Sequence, residues 1–63
     1  MRFVLEFDMN NAAFEDDPTG EVLRVLSVVE DQIEAGYGYG PLRDVNGNTI
    51  GDWKISHSSE VLA

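Results

Sequence analysis

Polar and apolar positions alternate from Arg2 to Met9, with Phe3, Leu5, Phe7 and Met9 on one side and Val4, Glu6 and Asp8 on the other. That is the period of a half-buried β-strand. Asn10-Asn11 close the strand, and Ala12-Ala13-Phe14 forms a short turn or single helical turn that returns Phe14 to the core. The period then changes. In Glu15-Asp16-Asp17-Pro18, Asp17 is placed to cap a helix whose first residue is Pro18, where a missing N–H costs nothing. At 100° per residue Val22, Val25, Leu26, Val29 and Ile33 share one stripe, and Gly36 after Ala35 supplies a left-handed stop. An amphipathic helix of about 18 residues follows from these start and stop signals.

Gly36-Tyr37-Gly38-Tyr39-Gly40 reads as a permissive connector, and Pro41 to Ile55 carries the strongest local signal, Asn46-Gly47 between two alternating runs. A two-residue type I′ turn there sets Val45 opposite Asn48 and Leu42 opposite Gly51. It turns Leu42, Trp53 and Ile55 to the core face, beside Phe3, Leu5 and Phe7. A type I turn with Gly47 in a bulge would pair Leu42 with Ile50 instead. The first register is preferred because it buries Trp53. His57 onward has no periodicity and is expected to be a frayed tail, which leaves residues 1–56 as one domain and 57–63 outside it.

The element order, β-α-β-β, predicts an α+β fold: a small three-stranded sheet with one amphipathic helix packed on one face. A right-handed crossover sets the first strand parallel to one hairpin strand, most simply the last. Such a sheet has two open edges, so edge-to-edge pairing of two copies is available and a homodimer is expected.

Size and charge narrow the function. A chain of 63 residues buries only about 60% of the surface its unfolded form exposes. With no Cys there is no disulfide or thiolate metal site to staple it, and self-association is the remaining source of burial. Twelve acidic against four basic residues give a net charge of −8, which argues against direct nucleic-acid binding, since phosphate contacts need basic side chains. No leader or membrane span is recognised, and a cytoplasmic location is expected.

Candidate chemistry is weak at each place it can be sought. His57 lies among Ser56, Ser58 and Ser59, but a nucleophile and base need a rigid geometry and an orienting carboxylate. Asp44-Val45-Asn46-Gly47-Asn48 resembles a calcium loop, yet Gly stands at the fourth position rather than the sixth and Ile55 falls where the closing Glu belongs. The glycine-tyrosine connector follows a helix instead of preceding one and has no Lys, so it is no phosphate cradle. Glu15, Asp16, Asp17 and Glu21 are acids at a helix start, where they complement the dipole. No catalytic, cofactor or metal residue is assigned, and no enzyme activity is expected.

The acids at the other end of the helix have no such explanation. Glu30, Asp31 and Glu34 stand where the dipole disfavours negative charge by roughly 0.3–1 kcal/mol each, with no Lys or Arg after them. On the wheel Glu30 and Glu34 project beside Leu23 and Ser27, and Asp31 lies further round toward Arg24. Leu23, Ser27, Glu30, Asp31 and Glu34, with Tyr37 and Tyr39 in the connector, are the candidate partner-binding residues. Such a surface suits a basic protein, whose complementary charge speeds encounter and orients binding.

The combination NNAAFEDDPTGEVLRVL at residues 10–26 and LRDVNGNTIGDW at residues 42–53 resembles a group of small acidic proteins of actinobacteria and their phages. The group shows an acidic N-A-A-F-x-D-x-P start and an L-R-D-x-N-G-N-x-x-G hairpin. The resemblance covers about two thirds of the chain and rests on cap and turn motifs. This chain departs from it in its Val-rich helix positions and its GYGYG connector. No activity comes with the group. What it implies is a phage-type accessory protein that acts by binding host or phage proteins. A second reading, an acidic mimic of DNA that occupies a nucleic-acid-binding host protein, rests on the net charge.

Overall fold

The computed structural model describes residues 1–57. Strand β1 covers Arg2–Phe7, a 3₁₀ turn covers Ala12–Phe14, helix α1 covers Pro18–Glu34, and strands β2 and β3 cover Tyr39–Arg43 and Thr49–Ser56. The fold class is the α+β arrangement expected. The frayed-tail expectation concerns residues that, apart from the exposed His57, lie outside those described.

The three strands form one antiparallel sheet in the order β1-β3-β2. The last strand is therefore central and runs antiparallel to the first, with Phe3 opposite Ile55, Leu5 opposite Trp53 and Phe7 opposite Gly51. This corrects the expected parallel pairing of first and last strands. The crossover through α1 does make β1 parallel to a hairpin strand, but that strand is β2, and β3 lies between them. Insertion of β3 gives both outer strands an antiparallel neighbour, the slightly more stable pairing.

The hairpin combines parts of the two registers. Asn46 has no positive φ, which excludes a type I′ turn, whereas Gly47 has φ +87° and donates to Asp44 O at 3.0 Å. This is the type I turn with Gly47 in the left-handed position. Leu42 nevertheless pairs with Gly51, because the ladder shifts between Leu42 and Arg43, which faces Thr49. Ile50 is the extra residue of that bulge, and the shift restores the alternation that turns Trp53 inward.

Helix α1 begins and ends by the expected devices. Asp17 accepts from the Gly20 N–H at 3.0 Å. At the other end Tyr37 N–H reaches Gln32 O and Gly36 N–H reaches Ile33 O, both at 3.0 Å, with Gly36 at φ +97°. That pair of bonds is a Schellman stop.

The core is Val25, Val29, Leu42 and Trp53, with Leu5, Phe7, Ile50 and Ile55 packed around it. Phe14 is buried and its ring lies 5.9 Å from that of Phe7. The helix is rotated from the predicted stripe. Glu21, Val25 and Val29 are its buried residues, while Leu26 and Ile33 remain 41% exposed. Polar bonds tie Glu21 to Val45 in the turn, Arg24 to Arg43 of β2 and Gln32 to Trp53 of β3, and hold α1 over the hairpin. The Val22, Leu26 and Ile33 flank consequently faces the β1 side, where Phe3 is 52% exposed.

Candidate docking surface

The geometry around the hairpin turn explains which charged groups are committed to structure. Asp44 is buried, and its carboxylate accepts from Asn46 N–H and Asn48 N–H at 2.9 Å, Asn48 Nδ2 at 3.1 Å and Asn11 Nδ2 at 2.6 Å. Burial pushes its pKa up, but those donors outweigh burial and hold it below the ordinary value. The side chains of Asp44 and Asn48, two of the residues that gave the loop its calcium-like look, are thus bonded within the turn.

Glu21 completes the clasp. It accepts from Arg24 Nε at 2.8 Å and Nη2 at 3.0 Å, and from Val45 N–H at 2.8 Å. Arg24 Nη2 also donates to Arg43 O at 2.8 Å. The Arg24 bonds lower the Glu21 pKa most, against burial that raises it, and the same contact raises that of Arg24. Glu21 was expected only to complement the helix dipole; the structure makes it a tie between helix and hairpin. A charged residue on the core side of the stripe was the available sign, although its partner Val45 N–H lies 24 residues away. Asn11, whose side chain reaches Asp44 across 33 residues, left no sign in the sequence.

The predicted partner-binding residues are all exposed. Leu23, Ser27, Glu30 and Glu34 lie at intervals of three and four, hence in one strip down the outer side of α1. From Leu23 to Glu34 that strip is about 16 Å long at 1.5 Å per residue. Leu23 is 61% exposed within it. Asp31 sits round the helix toward the β2 side rather than in the strip. Tyr37 follows the end of the strip and shares with Tyr39, Gln32 and Pro41 a shallow concavity of about 470 Å³. Both tyrosines thus line one concavity, whose lining includes neither Leu23 nor Ser27.

Glu21 is the sole ion-pair partner of any base among the described residues, so the strip acids carry uncompensated charge. Among those residues no group of three or more His, Asp or Glu is placed to hold a metal, and no helix is long and apolar enough to cross a membrane. His57 is exposed and directly follows the last residue of β3. No protein-family model, curated protein or solved structure matches the chain.

Proposed function

We propose that this chain is a small non-enzymatic protein-interaction module, an accessory protein of the phage type that works as a homodimer in the cytoplasm. It docks a basic protein partner through the outer face of α1. The observation that carries this reading is the strip of Leu23, Ser27, Glu30 and Glu34: an exposed leucine among acids that, among the described residues, neither cap nor pair. Acids at a helix C-terminus oppose local stability, so their placement is explained by what they meet and not by what they hold together. The partner presents Lys or Arg around an apolar contact, and its association slows as salt screens the charges.

Capture of host or phage proteins on immobilised chain tests this directly. The native chain retains a basic partner, and the Glu30→Lys, Glu34→Lys variant loses it while keeping its circular dichroism. Unchanged capture by the variant removes the strip from consideration. The acids at both ends of α1, Glu15, Asp16 and Asp17 before it and Glu30, Asp31 and Glu34 at its close, are all exposed, and this spacing along one axis favours DNA mimicry as the second reading. In that case the captured partner is a DNA-binding protein and duplex DNA displaces it at moderate salt.

A further inference from the structure

We propose that β1 is the edge through which two copies of this chain join, antiparallel about a two-fold axis at Val4, to make one six-stranded sheet. The inference rests on the homodimer reading above and names its surface.

The two edges of the sheet are not equivalent. Ile55 N–H donates to Gly38 O at 2.8 Å. Gly40 and Leu42, in step with that bond, therefore aim their peptide groups at β3, and Tyr39 and Pro41 aim theirs at solvent. Pro41 has no N–H to offer, so the β2 edge is blunted. On the other side Asp8 N–H donates to Ile50 O at 2.9 Å. Arg2, Val4 and Glu6 consequently point their peptide groups at β3, and Phe3, Leu5 and Phe7 direct outward N–H and C=O groups that have no partner among the described residues. Among the described residues no proline or bulge protects this edge.

Side chains then select the partner and the register. A two-fold axis normal to the sheet keeps each face on its own side, so residues of like parity must meet. Centred on Val4, the pairing sets Arg2 opposite Glu6 of the second copy, Phe3 opposite Leu5, and Val4 opposite Val4. Glu6 gains by that cation: within one copy it stands directly across from Asp52, a like-charge pair that Lys54, opposite Val4, flanks only diagonally, and neither Glu6 nor Arg2 has an ion-pair partner among the described residues. Moving the axis to Leu5 sets Glu6 opposite Val4 instead and leaves the acid pair unrelieved. On the helix-bearing face the same pairing covers part of the apolar surface beside β1, where Phe3 is 52% exposed in one copy. A second copy is thus complementary in backbone, charge and apolar surface at once.

Sedimentation of the full chain, read with folding by circular dichroism, tests the pairing. The native chain should run at twice its 7.0 kDa mass at micromolar concentration. Arg2→Glu alone and Glu6→Arg alone should each weaken self-association by about tenfold, since each converts two symmetric attractions into repulsions. Mixing these two variants restores a dimer, because each then supplies the charge the other lacks. Val4→Cys, the sole thiol in the chain, should oxidise rapidly to a covalent dimer, whereas Val45→Cys in the turn should not. A native chain that stays at 7.0 kDa overturns the proposal, as does a folded mixture that fails to pair. A monomer that still captures a basic partner through Glu30 and Glu34 overturns this pairing and leaves the docking reading standing. A dimer restored by the mixture supports the pairing even where nothing is captured.

Discussion

Gly40 stands where a methyl group has no room: a Cβ there would lie 2.9 Å from Gln32 Oε1 and 3.0 Å from Trp53 Nε1. Those two atoms are hydrogen-bonded to each other at 2.7 Å, and Trp53 is wholly buried. Gly40→Ala should therefore break that bond and destabilise the fold by about 1–3 kcal/mol, the cost of a buried donor left without its acceptor. Urea unfolding followed by Trp53 fluorescence measures it. Asp44 and Glu21 govern the acid limb of stability. Both titrate lower in the folded chain than their ordinary values of 3.8 and 4.5, so the unfolded chain takes up protons first as pH falls. Their contribution is complete above the ordinary values and is lost as pH drops through the lower folded ones. Melting temperature should accordingly fall steeply on acidification below about pH 4, and less steeply in Asp44→Asn, which starts lower. The periodicity located Trp53 and Leu42. The donors on Asp44 were half legible, since Asn46 and Asn48 are neighbours in the turn, but Asn11 reaches it only because the chain has folded.

At the scale of elements, local chemistry decided most of the boundaries. Asp17, Pro18 and Gly36 bracket α1 as expected, and Asp17→Ala should cost about 1 kcal/mol by freeing the Gly20 N–H. Glu34→Lys should do the reverse, stabilising the helix by roughly 0.3–1 kcal/mol through the dipole while weakening partner capture. A variant that gains thermal stability as it loses binding would separate the docking role of Glu34 from any structural one. In the hairpin, Gly47→Ala forces a side chain into φ +87° and should destabilise by about 1 kcal/mol. The turn type was misjudged because Asn-Gly serves two hairpins. The I′ form has only local support here, whereas the type I form lets Asp44 cap Asn46 and Asn48 and lets Val45 N–H meet Glu21. The bulge at Ile50 then recovers the register that burial of Trp53 demands.

For the whole molecule the decisive feature is asymmetry. The helix lies over β2, Pro41 blunts the β2 edge, and among the described residues β1 is left with open peptide groups and a half-covered apolar flank. Amide exchange should report this in a characteristic way: at high dilution Val4 and Glu6 are protected and Phe3 and Leu5 exchange freely, while at high concentration all four are protected. Since each copy carries a charge of −8, added salt should strengthen self-association even as it slows encounter with a basic partner. The sequence by itself determined the elements, their order and the residues with apolar character. Those depend on period, caps and turns, which act over a few residues. Only the tertiary structure decided that β3 inserts between β1 and β2, and that α1 rotates to bury Glu21 and expose Leu26 and Ile33. It also decided which edge stays open. These are set by contacts between residues twenty or more positions apart, such as Glu21 with Val45 and Gln32 with Trp53, whose energies no local pattern contains.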